Sequence, residues 1–146
     1  MNPAESRGRV VSLVFGAMAA QVLSTVAQLS VADRFGDGER SGSELATDLD
    51  ADASATTRLL RAMAALELVK EIEPGRFRLT EAGALLRSDR PDSMRSFVQM
   101  FSDPAMLDAW RQLDHAVRTG ETTFDRVYGT GFFEYLAQRP ELSEQF

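Results

Sequence analysis

The chain has 146 residues, 44% of them hydrophobic and 26% charged, which is one domain's worth of globular sequence with enough apolar material for a core. It contains no cysteine and a single histidine, which excludes disulfide frameworks, thiolate metal sites, cysteine nucleophiles and His-rich metal clusters. A net charge of -6 and a pI near 4.8 argue against nucleic-acid binding, which draws its affinity from neutralised phosphates.

Residues 10–32, VVSLVFGAMAAQVLSTVAQLSVA, run 23 positions without a charge. That length is enough to span a bilayer, and Arg7, Arg9 and Ala17-Met18-Ala19 have the look of a signal peptide. Ser12, Gln21, Ser24, Thr25, Gln28 and Ser30 are costly in hydrocarbon, and Glu5 sits in the flank that should be positive. Val11, Val14, Phe15, Met18, Val22 and Leu29 trace one face at helical spacing, with Gly16 and Ala20 small enough for another helix to come close. The reading is a soluble, cytoplasmic protein whose first helix is buried in a core or against a partner chain.

A loop rich in Gly, Ser and charge is expected over residues 33–45. Ser43 is the expected cap of a short helix carrying Leu45, Ala46 and Leu49, and Ser54 of the next. That next helix is expected to turn Leu59, Leu60, Met63, Leu66 and Leu68 inward. Val69–Glu73 and Arg76–Leu79 flank the turn signal Pro74-Gly75 and read as a hairpin. Thr80 then caps a short helix with Ala82, Leu85 and Leu86. Helix, turn, helix, hairpin and helix in this order make a winged helix-turn-helix. Beyond it, Met94, Phe97, Val98 and Phe101 form one helical stripe, and Met106, Leu107, Trp110, Leu113 and Val117 a second, closed by Gly120. Gly129 and Gly131 lead into a terminal helix in which Phe133, Leu136 and Ala137 share a face, as do Leu142 and Phe146 beyond Pro140. The fold class is mostly α, with one small β-hairpin.

A winged helix raises the alternative of a DNA-binding transcriptional regulator, read through Thr57, Arg58 and Arg61 with Lys70, Arg76 and Arg78 on the wing. Residues 43–87 nevertheless hold six basic against eight acidic side chains, a poor grip for phosphate. Catalytic patterns are missing. FGDG (residues 35–38) and GTG (129–131) follow no expected strand and read as ordinary turns, not as a nucleotide-type cradle. His115 lies off the apolar stripe and reads as a surface or interface residue, and Asp103 and Asp108 as solvated helix charges. No metal site is expected.

Three stretches carry a resemblance: ELATDLDADASATTRLLRAMAALELV (44–69), GRFRLTEAGALLRSD (75–89) and AWRQLDHAVRTGETTFDRVYGTGFFEYLAQRPELSEQF (109–146). In order and spacing the chain resembles the N-terminal dimerisation domain of the bacterial natural-product O-methyltransferases, relatives of the plant caffeate and flavonoid enzymes. The resemblance implies N-terminal dimerisation helices over 1–42, a winged-helix module over 43–88, and C-terminal helices over 89–146 leading to a catalytic domain absent from this sequence. It implies a homodimer that roofs the pocket of a small-molecule acceptor, with S-adenosylmethionine bound in the full-length enzyme and not by this chain alone. Phe133, Leu136, Leu142 and Phe146 match lid positions, Trp110 and Met100 are further lid candidates, and Met18 would reach the partner subunit's pocket. No catalytic residue is expected here, and the chain is expected to stop at an interdomain hinge.

Overall fold

In the computed structural model, which describes residues 1–128, 131–140 and 143, the chain forms two compact units, Met1–Arg95 and Ser96–Phe146. The first opens with α1 (Pro3–Gln28). Asn2 caps it by accepting from the Glu5 amide while Glu5 reaches back to the Asn2 amide, and Pro3 supplies the fixed φ of a first helical position. The helix therefore starts well before the charge-free run. It also ends inside that run: Leu29 caps it, Ser30 adopts a left-handed φ of 56°, and α2 (Val31–Phe35) sets off in a new direction. Arg95 holds this break, donating to the Ala27 carbonyl at 3.0 Å and to Ser30 Oγ at 2.9 Å.

The expected loop over 33–45 contains the end of α2 and a strand, β1 (Glu39–Ser41). Ser41, not Ser43, caps α3 (Gly42–Leu49), its hydroxyl accepting from the Glu44 amide at 3.1 Å. Asp52, not Ser54, caps α4 (Ala53–Ala65), accepting from the Ala55 amide at 2.8 Å. Both corrections have one cause: the cap side chain must reach an amide two or three positions on, and carboxylate or hydroxyl serves equally. β2 (Val69–Glu73) and β3 (Arg76–Leu79) form the expected hairpin around Gly75, at φ 80°. β1 adds antiparallel to β3, so the sheet runs β1-β3-β2. Thr80 caps α5 (Glu81–Ala84) as expected. The mostly helical winged-helix reading holds, with a three-stranded sheet in place of a lone hairpin.

Val26, Ala27, Val31, Phe35, Leu45, Leu60, Met63, Val69, Phe77 and Leu86 make the buried core of this unit. Leu66, expected inside, is 38% exposed, because α4 has ended at Ala65 and the chain turns through Glu67 at φ 61°. Two glycines permit close approaches. A Cβ on Gly42 would lie 1.9 Å from Thr57 Oγ1, where α3 crosses α4, and one on Gly83 would lie 1.9 Å from the Leu68 carbonyl oxygen.

The second unit is built from short helices: α6 (Arg95–Phe101, which begins on the last residue of the first unit), α7 (Pro104–Trp110), α8 (Leu113–Thr119), α9 (Thr123–Tyr128) and α10 (Phe132–Ala137). Asp103, read as a solvated charge, caps α7 ahead of Pro104, and Gly120 closes α8 at φ 73°. The expected continuous stripe from Met106 to Val117 breaks at Gln112, which turns Trp110, Leu113 and Val117 toward solvent. Met94, Phe97 and Phe101 are likewise exposed, and only Val98 of that stripe is buried. α9 was not expected.

Gly83→Ala should destabilise the chain by about 2 kcal/mol or more, because the obstructing atom is backbone and cannot swing away. Gly8→Ala, in α1 with open space around it, should stabilise by about 1 kcal/mol. Paired chemical denaturation of the two variants checks both signs.

Candidate functional site

The described lid candidates fall into distinct settings. Met100 and Leu136, 3% and 5% exposed, pack with Ala105 in one buried cluster, drawn together from α6 and α10. Met106, Phe124, Phe132 and Tyr135 are half-buried around it. Phe124 is the hub: its ring meets Phe132 at 5.3 Å and Tyr135 at 5.2 Å, both edge-on, the arrangement that aromatic quadrupoles favour. Phe133 faces outward, 74% exposed, with its ring 5.5 Å from that of Phe132. Phe133, Leu136 and Ala137 therefore do not share a buried face. Leu142 and Phe146 lie outside the described residues.

Beside the cluster opens a cleft of about 300 Å³, lined by Met106, Ala109, Trp110, Leu113, Thr123, Phe124 and Phe132. Trp110 forms its rim, 65% exposed. The Thr123 hydroxyl is spent on the Ala109 carbonyl at 2.7 Å, which pins the start of α9 to the end of α7. The lining holds no titratable side chain, so it offers no general acid or base. It is suited to a flat apolar body, which it would shield from water. Phe124 and Phe132 carry this cleft, and the sequence reading assigned neither to a site: a helix of six residues shows less than two turns of periodicity.

His115 is half-buried and its Nε2 lies 3.0 Å from the Glu121 carboxylate, away from the cleft lining. Among the described residues no cluster of three metal-ligating side chains forms. Gly36 and Gly38 follow a helix and lead into a three-residue strand, so FGDG does not build the strand–turn–helix cradle that S-adenosylmethionine would need.

In the first unit, Met18 is 59% exposed on α1, among Val10, Val11, Leu13, Val14 and Phe15, all at least 45% exposed. α1 is also long and apolar enough to cross a membrane, by length and composition alone. The wing shows why the module is a poor reader of DNA. Arg76 pairs with Glu44 at 2.9 Å and approaches Glu39 at 3.8 Å, while Arg78 pairs with Glu39 at 3.3 Å. Arg40 pairs with both Glu44 and Asp48, and Arg61 approaches Glu71 at 3.8 Å. Phosphate would have to displace carboxylates already in place.

The profile of the O-methyltransferase dimerisation domain matches residues 11–89, more than half of the chain. The chain belongs to that family. The resemblance read from its residues is thereby borne out. The chain is 49% identical over 138 residues to O-demethylpuromycin-O-methyltransferase of Streptomyces alboniger, covering 94% of this chain and 36% of that relative. The crystal structure of LaPhzM superposes with a TM-score of 0.87 at 37% identity, covering 99% of this chain and 43% of the other. NcsB1, an O-methyltransferase from neocarzinostatin biosynthesis, was solved with S-adenosylmethionine and 2-hydroxy-5-methyl naphthoic acid. It superposes with a TM-score of 0.67 at 34% identity, over 87% of this chain and 39% of NcsB1. The chain spans about two fifths of the length of the proteins it matches.

The Glu44 carboxyl is held below the usual carboxylate range, first by the hydrogen bond from Arg76 and then by Arg40. A depressed carboxyl stabilises the fold above its unfolded pKa, and that contribution disappears as pH falls through the folded value. Glu44→Gln should therefore lower the melting temperature by a few degrees at neutral pH. The gap to the parent chain should close as the pH falls through the lowered folded pKa of Glu44, as thermal melts across the acid range would show.

Proposed function

We propose that this chain is the dimerisation and acceptor-lid domain of a S-adenosylmethionine-dependent O-methyltransferase acting in the cytoplasm on a small aromatic or polyketide-type hydroxyl compound. The observation that carries this reading is the aromatic cleft at Trp110, Phe124 and Phe132, on a chain whose family is that of O-methyltransferase dimerisation domains. Its lining can exclude water and hold a flat ring, and it contains nothing that could move a proton. The domain's contribution to methyl transfer is thus positioning and desolvation of the acceptor hydroxyl. Met100 and Leu136 brace the cleft from the cluster beneath it, Trp110 and Phe133 offer exposed aromatic surface, and the family resemblance counts Leu142 and Phe146 among the lid residues. S-adenosylmethionine belongs to the remainder of the full-length enzyme, where it supplies the methyl group.

The same reading makes the protein a homodimer through α1, whose uncovered apolar residues need a second chain, with Met18 directed to the partner's pocket. The isolated chain should sediment at twice its 16.1 kDa and transfer no methyl group. Val14→Asp should shift it to the monomer mass by burying a charge in that contact. In the full-length enzyme, Trp110→Ala should raise the acceptor KM by about tenfold while changing kcat less, because the ring contributes to binding before the chemical step. A dimer mass with unaltered acceptor kinetics for Trp110→Ala would reject the lid role and leave the dimer role standing.

A further inference from the structure

Two walls of the aromatic cleft come from different helices, and one hydroxyl joins them. Ala109 and Trp110 end α7, Thr123 and Phe124 begin α9, and all four line the cleft. Between the two walls the chain makes α8 and turns at Gly120. The half-buried Thr123 spans this interval, its hydroxyl donating to the Ala109 carbonyl at 2.7 Å. The bond thus lies one residue from the ring at the rim and one residue from the ring at the hub.

The Ala109 carbonyl does not need this donor. The last carbonyls of a helix lack partners within it, yet this one already accepts from the Gln112 amide at 3.1 Å. Loss of the hydroxyl would therefore leave no carbonyl stranded, and what Thr123 adds is position. Its branched Cβ restricts χ1, so the backbone at the start of α9 sets the direction of the hydroxyl. Position matters here because dispersion is short-ranged: a wall set back by ~0.5–1 Å forfeits roughly a quarter to a half of each contact. A ligand held by apolar contact alone is sensitive to such a gap, and the lining offers it no charge in compensation.

Resting on the acceptor-lid reading above, we infer that Thr123 is the positioning residue of the cleft, its hydroxyl setting the separation of the Trp110 and Phe124 walls to suit a flat ring. It acts through the two aromatic residues beside the bond.

2-Naphthol, a flat uncharged ring system with one hydroxyl, serves as the probe, and its dissociation constant for the 146-residue chain is read by calorimetry. Thr123→Val keeps the shape and removes the donor, and should weaken binding about fivefold, the scale of one lost hydrogen bond. Thr123→Ser should stay within about twofold of the parent, because its hydroxyl is the same donor. Thermal melts of both variants should remain cooperative, since no buried group loses its last partner. Trp110→Ala, measured alongside, separates the two levels of the inference. If Trp110→Ala weakens binding but Thr123→Val does not, or Thr123→Ser is as weak as Thr123→Val, the role of Thr123 is overturned and the cleft reading stands. A parent chain that fails to bind 2-naphthol, or binding untouched by Trp110→Ala, removes the cleft reading and the role of Thr123 with it.

Discussion

Helix α1 presents a surface that its own chain does not cover, and the rest of the structure depends on that fact. Every residue from Pro3 to Met18 is exposed, and only Val26 and Ala27 are buried along its 26 residues. Apolar side chains held in water for two thirds of a helix are a standing free-energy cost that folding alone does not remove. The first unit secures the remaining third firmly. Val26 and Ala27 enter the core, Ser30 turns the chain back, and Arg95 clamps the Ala27 carbonyl near the helix end and the Ser30 hydroxyl in the turn after it. The projecting part is thus presented as a rigid rod from a fixed socket, which lowers the ordering cost of whatever covers it.

The two units divide the work by chemistry. The first keeps its charges occupied with one another: the guanidiniums of Arg40, Arg76 and Arg78 knit β1, β3 and α3 together through Glu39, Glu44 and Asp48. A winged helix in this state serves as a frame, with its wing residues turned inward to their own carboxylates. The second unit gathers aromatic rings around a cleft without titratable groups. One unit is thus built on paired charges and the other on packed aromatic rings, and among the described residues the cleft lining holds no titratable side chain.

What was legible in the sequence follows the strength of the local signal. Pro74-Gly75 between alternating runs gave the β2–β3 hairpin to the residue, and Thr80 announced α5. β1 was illegible because three residues, Glu39, Arg40 and Ser41, are all polar or charged and owe their extended form to β3 alongside. By local pattern Ser43 and Ser54 read as the caps in place of Ser41 and Asp52, although Ser41 precedes Glu44 at the spacing of a capping box. The charge-free run reads as one helix because nothing in composition marks Ser30, a residue that adopts its left-handed turn under the hold of Arg95, far along the chain. In the cleft, Trp110 shows in the sequence as part of a helical stripe, and its place among the lid candidates comes from the family resemblance. Phe124 does not show, since α9 is too short to display a period and its importance lies in rings brought to it from α10.

The order of strands has a consequence for how the molecule is made. β2 and β3 are joined by a two-residue turn and pair as soon as both are free to move, on the microsecond scale of hairpins. β1 reaches its place on β3 only after a long loop has closed, as the Arg76–Glu39 contact across 37 positions measures. Until then the outer edge of β3 stands open, with its amides and carbonyls unpaired and Phe77 incompletely covered. During synthesis the projecting α1 emerges ahead of all three strands, and the strand that completes the sheet must wait for β3 to appear. Newly made chains thus carry an uncovered apolar helix while the edge of β3 still waits for β1.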